Sequence, residues 1–227
     1  MEKGIRKVFS GMTDIPADID KMFSPIGQFR EFMMMYSCAI KEVRTKFEIL
    51  NDDLSVTYNR NPIEMIKSRI KSPESIIKKM QRKGLDINMN SLIYYIEDVA
   101  GIRVICSFID DIYEVANMLI SQDDITLVSV KDYIKNPKPN GYRSYHMIVE
   151  VPVFFANRRQ NMKVEVQLRT IAMDFWASLE HDMKYKKTIE GSESIVAELK
   201  TCADHIAELD KKMQEINYTI AELGSSK

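Results

Sequence analysis

Lys163-Val164-Glu165-Val166-Gln167-Leu168-Arg169-Thr170 alternates without a break. Read as a strand, it sends Val164, Val166 and Leu168 to one face and Lys163, Glu165, Gln167 and Arg169 to the other. A half-buried strand commonly shows a bland polar face of Thr, Ser and Lys. This one aligns an acid, an amide and two cations. Upstream, Asn140-Gly141-Tyr142-Arg143-Ser144-Tyr145-His146 reads as a turn followed by aromatic, cationic and imidazole groups. A carboxylate among cations and stackable rings is what a metal-dependent nucleotide site requires.

The strand itself extends over Met162–Thr170, and three other candidates precede it: Gly101–Phe108, Ile125–Val130 and Ser144–Val151. Asp111–Ser121 reads as a helix capped near Asp110, and Ala172–Tyr185 as another. The order β-α-β-β-β-α with flanking helices predicts an α+β (mixed α/β) fold whose mixed sheet has four or five strands. Apolar residues at 32, 35, 36, 39, 43 and 47 make Gln28–Leu50 an amphipathic helix. Residues 1–28 read as a loose lead-in with one short helix. Met33-Met34-Met35 reads as core filler in preference to a methionine-rich ligand site.

Asn61-Pro62-Ile63-Glu64 carries a helix-start signal, and Ser72-Pro73-Glu74 repeats it. Arg69-Ile70-Lys71 is therefore expected to straddle a break between two helices, the second ending at Gly84. Near the C-terminus Ile195, Leu199, Cys202, Ile206, Leu209, Met213, Ile216, Ile220 and Leu223 form a heptad seam. It packs either on the chain's own N-terminal helix or on a second subunit. The organisation expected is an N-terminal helical segment (1–60), a central mixed α/β domain (61–190) and a C-terminal helix (191–227) suited to oligomerisation.

The 227 residues are 45% apolar and 29% charged with a net charge of −1, so any polyanion site must be a local patch. Three scattered cysteines argue against a disulfide framework or a zinc site. No apolar stretch approaches the ~18 residues of a membrane span, and the N-terminus lacks the apolar region of a signal peptide. A cytoplasmic protein with no membrane partner is expected.

Ser75, Lys79 and Arg82 share a stripe about 60° wide on the helix after Pro73, at ~100° per residue. They form either a phosphate cradle near a helix N-terminus or a solvated basic face. Arg69 and Lys71 extend the same cationic surface. Asp98, just before the first strand candidate, and Glu165 could together supply the one or two carboxylates that Mg²⁺ prefers. The alternative is structural ion pairing to Arg103 and Arg169. Tyr142 beside the Asn140-Gly141 turn suits base stacking, with His146 and Lys138 for phosphates. Equally, Tyr142 could pack on the sheet and His146 be satisfied by backbone. His181-Asp182 resembles a metal dyad, but only three histidines exist, which disfavours a metal phosphohydrolase centre.

Four motifs in order, Asp98-Val-Ala-Gly-Ile-Arg103, Gly141-Tyr-Arg-Ser-Tyr-His146, Val164-Glu-Val-Gln-Leu-Arg-Thr170 and Trp176-Ala-Ser-Leu-Glu-His181, resemble the RelA/SpoT synthetase domain over roughly Ile63–Lys187. The chain's length is similar to that of the stand-alone small alarmone synthetases, without hydrolase or regulatory domains. The resemblance implies a nucleotidyltransferase-like sheet and transfer of the β,γ-pyrophosphate of ATP to the 3′-hydroxyl of GDP or GTP, giving (p)ppGpp and AMP. It places Arg69 and Arg103 around adenine, and Lys71, Ser75, Lys79 and Arg82 on the ATP phosphates. Asp98 and Glu165 become Mg²⁺ ligands, with Glu165 also a base for the attacking hydroxyl. Tyr142 stacks on guanine, Lys138 and His146 steady the acceptor phosphates, and Gln167 supports that site.

Two positions depart from some relatives. Asp174 stands where they carry Asn, and could accept from guanine N1–H and the exocyclic amine together. Lys131 replaces Arg near the acceptor phosphates, keeping charge but losing bidentate geometry. The resemblance also implies a homotetramer, with single-stranded RNA as a further candidate partner. A tRNA 3′-end pyrophosphokinase and a non-catalytic nucleotide- or RNA-binding regulator use the same fold, and the preferred acceptor among GDP, GTP and GMP stays open.

Overall fold

Val164, Val166 and Leu168 have no exposed surface, while Glu165 and Gln167 are half-buried on the opposite face. The alternation thus becomes β5 (Arg159–Thr170). The computed structural model describes residues 26–58, 60–186 and 192–225, so the lead-in read over 1–28 falls outside it up to residue 25. β5 is the centre of a five-stranded sheet, ordered β1 (Ile63–Ile70), β2 (Ala100–Cys106), β5, β4 (Tyr145–Phe154), β3 (Thr126–Asp132). β2 and β5 run parallel; the other neighbours are antiparallel.

One face of the sheet is covered by α1 (Ile26–Tyr58) and α4 (Ile109–Ile120). Phe32, Tyr36, Ala39, Val43 and Phe47 from α1 and Ile112, Val115, Ala116 and Leu119 from α4 are buried against Val149, Val151, Val164 and Val166. Each large side chain so buried contributes ~1.5–3 kcal/mol. Among the described residues, no helix is long and apolar enough to cross a membrane.

The expected strands are present within two or three residues at each end, and α1 runs on past Leu50 to Tyr58. α4 starts before the expected Asp111. Its first turn is organised by the Asp111 carboxylate, which accepts from the Phe108 N–H at 3.0 Å and is gripped by Arg60. The expectation of a helix from Asn61 is overturned. Residues 63–70 form β1, antiparallel to β2, and Ile63 N–H is taken by the Asn51 side chain of α1 at 3.3 Å. A local start signal is outweighed here by a ladder of sheet bonds. The Ser72 signal holds: its side chain caps α2 (Pro73–Arg82), and Gly84 follows at φ +65°. A short helix α3 (Met89–Tyr95), capped by Asn88, was not anticipated.

α5 (Ile171–Lys186) follows β5 directly, and α6 (Ser192–Ser225) packs on α5 and α4 rather than chiefly on α1. The face of α6 that meets the domain is Ala203, Asp210 and Gln214, all buried. Gln214 Oε1 accepts from Asp110 N–H at 3.1 Å, satisfying a donor in the first turn of α4. Thr170 Oγ1 accepts from Met173 N–H and donates to Asp210 Oδ2 at 2.6 Å, tying the start of α5 to α6. The heptad seam lies about a quarter-turn away around the helix. Leu209, Met213, Ile216, Ile220 and Leu223 are 43–67% exposed.

Burial raises the Asp210 carboxyl pKa, and the Thr170 bond offsets this only in part. A carboxyl with a raised folded pKa destabilises the fold increasingly as pH climbs from the ordinary carboxylate value to the raised one. Asp210→Asn keeps an acceptor for Thr170 and removes that penalty. The melting temperature of Asp210→Asn is therefore expected to exceed wild type at pH 7 and to match it near pH 3.5; an offset independent of pH would contradict this.

Candidate active site

The sheet face opposite α1 collects charged groups from all five strands. Strand register sets two rows. The first runs Arg69, Gly101, Glu165, Ile148, Ser129; the second runs Lys67, Arg103, Gln167, His146, Lys131. Each row crosses the sheet from edge to edge. At β1 the cations also blunt an open edge.

Asp98 lies in the loop between α3 and β2, beside the first row. Its Oδ2 accepts from Lys71 Nζ at 2.5 Å and Lys79 Nζ at 2.6 Å. Lys71 is fixed by its own backbone N–H to Val99 O at 2.8 Å, and Lys79 by α2, whose Ile76, Ile77 and Met80 are buried. Burial alone would raise the Asp98 pKa, but the two ammonium groups outweigh it and hold the carboxyl below the usual range. Burial also lowers the Lys71 pKa, with Asp98 opposing. Asp98 Oδ1 is buried with no hydrogen-bond partner. An orphaned, ionised oxygen costs free energy unless a cation or donor meets it.

Glu165 is held by Gln167 Nε2, which donates to Oε2 at 2.9 Å. Arg69 Nη2 is 3.9 Å from Oε2, and His146 Nδ1 is 3.8 Å from Oε1. Gly101 forms the floor between them: a Cβ there would stand 3.6 Å from Arg69 and 3.9 Å from Glu165 Oε2. His146 is pushed down to about 3 by burial and by the charges of Arg169, Lys138, Lys131 and Arg103. The imidazole is neutral at physiological pH. The four cations that add to burial there form a local positive patch inside a protein of nearly zero net charge.

A second network braces the first. Arg169, 4% exposed, donates to Tyr142 OH at 2.6 Å, to Gln167 Oε1 at 3.2 Å and to Asp174 Oδ1 at 3.1 Å. Asp174 Oδ1 also accepts from Arg103 Nη1 at 3.1 Å, and Lys67 Nζ stands 3.7 Å from Oδ2. In this arrangement Asp174 organises three cations. The Tyr142 hydroxyl, which accepts from Arg169, also shares a hydrogen bond with His146 Nε2 at 2.8 Å.

Tyr142 stands on the turn made by Gly141, which has φ +88°. Lys138 Nζ lies 4.6 Å from the ring centroids of both Tyr133 and Tyr142, and Arg169 lies over Tyr142 at 5.0 Å. Two clefts open on this face. One, of about 500 Å³, is lined by Lys67, Arg69, Gly101, Arg103, Glu165 and Gln167. The other, of about 810 Å³, includes Lys79, Asp98, Lys131, Lys138, His146 and Glu165. Glu165 belongs to both, and Asp98 and Glu165 line the same cleft.

Of the expected residues, Arg69, Lys71, Lys79, Asp98, Arg103, Lys131, Lys138, Tyr142, His146, Glu165, Gln167 and Asp174 converge on this face. Ser75 is tied into the α2 cap, its hydroxyl accepting from Ser72 Oγ at 2.9 Å. Arg82 is exposed in the last turn of α2 and lines neither cleft. Lys67 and Tyr133 were not singled out, and Arg169, the buried hub, was read only as a cation of the polar face and a structural ion-pair partner. Lys67 is two residues from Arg69, a period-2 signal legible only once β1 is known to be a strand. His181 and Asp182 are highly exposed and line neither cleft. Among the described residues no group of three or more His, Cys, Asp or Glu could hold a metal. Asp98 and Glu165 offer two carboxylates, the number that Mg²⁺ commonly takes from protein beside phosphate oxygens and water.

Comparison with known proteins agrees with this architecture. Residues 68–190 match the region found in RelA and SpoT proteins. GTP pyrophosphokinase YwaC of Bacillus subtilis is 45% identical over 202 residues, covering 89% of this chain and 96% of that protein. The crystal structure of small alarmone synthetase 2 from B. subtilis superposes with a TM-score of 0.76 at 46% identity, covering 84% of this chain and 98% of the other. Small alarmone synthetase 1 of the same organism, bound to its product pppGpp, gives 0.78 at 34% identity over 85% and 98%. The chain belongs to the RelA/SpoT family and groups within it with the small alarmone synthetases.

Proposed function

We propose that the protein is a guanosine nucleotide 3′-pyrophosphokinase, moving the β,γ-pyrophosphate of ATP to the 3′-hydroxyl of GDP or GTP and releasing AMP. The observation that carries this reading is Glu165 at the junction of two clefts. A two-substrate transfer needs a proton acceptor between donor and acceptor nucleotides. Glu165 stands there with Oε1 facing His146 and Oε2 fixed by Gln167.

Arg69 and Arg103 take the adenine between planar guanidinium groups. Lys71 and Lys79, with Ser75 and Arg82 along α2, hold the ATP phosphates. Tyr142 stacks on guanine; Lys138, now over the Tyr142 ring, then moves to the acceptor phosphates beside Lys131 and His146. Asp174 reads the guanine edge through Oδ2, its other oxygen being committed to Arg103 and Arg169. Mg²⁺ fits Asp98 and Glu165, since Asp98 Oδ1 is a buried carboxylate oxygen without a partner. When bound, the ion neutralises phosphate charge.

The reaction is then mainly positioning. Glu165 accepts the proton of the 3′-hydroxyl as its oxygen bonds to the β-phosphorus. The bridging bond from that phosphorus to the α-phosphate oxygen breaks, and AMP departs with the electron pair. Lys71 and Lys79 balance the charge that develops there. Three free cysteines, Cys38, Cys106 and Cys202, fit a reducing cytoplasm.

The exposed seam of α6 and an apolar stripe on α5 (Ile171, Phe175, Leu179 and Met183, 45–59% exposed) extend the proposal to assembly. We assign the seam to a second copy of this chain, within a tetramer.

Glu165→Gln is expected to reduce AMP release from ATP plus GDP by at least ~10³-fold with an unchanged circular dichroism spectrum. Near-wild-type turnover would remove Glu165 from its role. Tyr142→Ala should raise the KM for GDP about tenfold, ~1.4 kcal/mol, with Tyr142→Phe closer to wild type. Equal effects of both variants would assign the loss to the hydroxyl instead of the ring. Light scattering on Leu209→Glu/Ile220→Glu should give a smaller oligomer than wild type; an identical mass would exclude the seam as an interface.

A further inference from the structure

Arg143 sits between Tyr142, which bonds to His146, and the strand that carries His146, itself part of the larger cleft's lining. Its guanidinium lines neither cleft and instead faces a small pocket on the reverse side with Gly141, Trp176, Ala203, Ile206 and Asp210. There Nη1 donates to Gly141 O at 3.1 Å and to Ala203 O at 3.2 Å, and Nη2 donates to Asp204 Oδ1 at 3.1 Å. One side chain thus ties the acceptor turn to α6 through three acceptors. Asp204 is itself held by Lys200 at 2.7 Å, which presets the carboxylate.

Asn140 Nδ2 donates to Glu180 Oε1 of α5 at 3.0 Å, and the rest of the turn is bonded mainly within itself. Lys138 N–H bonds to Tyr142 O at 3.1 Å and Gly141 N–H to Lys138 O at 2.8 Å, closing 138–142 on itself outside any strand ladder. Gly141 is pressed so closely against the helix that a Cβ would come within 2.5 Å of Ala203 Cβ, and its φ of +88° disfavours any side chain. The only tryptophan, Trp176, closes the seam between them, donating to Leu199 O at 2.9 Å and packing with Tyr142, Leu199 and Ile206.

We infer that Arg143 is a positioning residue for the acceptor nucleotide, fixing the turn that bears Lys138 and Tyr142 by clamping it to α6. The inference rests on the pyrophosphokinase reading, in which Tyr142 and Lys138 meet the acceptor. It makes the C-terminal helix part of the acceptor site although no α6 residue lines either cleft. A planar fork serving three acceptors has no lysine equivalent.

The test combines kinetics with hydrogen exchange on the full-length protein. Arg143→Ala should raise the KM for GDP about tenfold while the KM for ATP and kcat at saturating GDP stay within about twofold. Asp204→Ala, an exposed change that leaves two of the three bonds, should shift the GDP KM in the same direction by less. Arg143→Lys should remain impaired. Amide exchange in residues 136–146 without nucleotide should accelerate in Arg143→Ala. Unchanged exchange, faster exchange with an unchanged GDP KM, or equal increases in both KM values would each overturn the positioning role. The wild-type arm tests the underlying reading by itself: no AMP with GDP or GTP refutes the pyrophosphokinase, whatever the variants do.

Discussion

The parallel pairing of β2 with β5 is the constraint on which the site depends. Its register sets Gly101 beside Glu165 and Arg103 beside Gln167, and it brings the loop that precedes β2, with Asp98, alongside the acid of β5. Antiparallel partners on either side then extend each row to Arg69 and Lys67 at one edge and to Ser129 and Lys131 at the other. A slip of one residue in β5 would invert the pattern, burying Glu165 and exposing Val164 and Val166. The apolar core under α1 and α4 forbids that slip. Hydrophobic packing on one face thereby fixes catalytic geometry on the other.

The electrostatic consequence is local. A chain of net charge −1 gathers Lys67, Arg69, Lys71, Lys79, Arg103, Lys131, Lys138 and Arg169 around three carboxylates. Three acids keep these cations in place without cancelling them: Asp98 for Lys71 and Lys79, Asp174 for Arg103 and Arg169, and Glu165 near Arg69. Burial contributes most to the downward push on His146, and Arg169, Lys138, Lys131 and Arg103 add to it. Such a face lowers the cost of bringing two polyanionic nucleotides together, and the protein needs no global charge to do it.

Much of this was legible because it is local. Period-2 alternation in β5, the Ser72-Pro73 cap and the Gly141 turn each announce themselves within a few residues. β1 did not, because Asn61-Pro62-Ile63-Glu64 mimics a helix start and only pairing with β2 overrides it. Misreading β1 hid Lys67, whose place beside Arg69 is a strand property. Arg169 could be seen on the polar face, but two of its four partners, Tyr142 and Ser144, come from a distant segment, and a hub of that kind has no one-dimensional signature. On α6 the apolar seam is conspicuous in the sequence, yet the domain-facing side is the quieter stripe of Ala203, Asp210 and Gln214. That stripe buries polar groups which make sense only beside Thr170 and Asp110.

Asp98 and Glu165 acting on one divalent ion between two nucleotides is the claim that gives these arrangements a common purpose. A crystal structure with Mg²⁺, GDP and a non-hydrolysable ATP analogue examines it directly. The account predicts a single ion about 2.0–2.1 Å from one oxygen of each carboxylate, with Asp98 Oδ1 among its ligands. An ion held by phosphates and water alone, or by only one of the two acids, would contradict it.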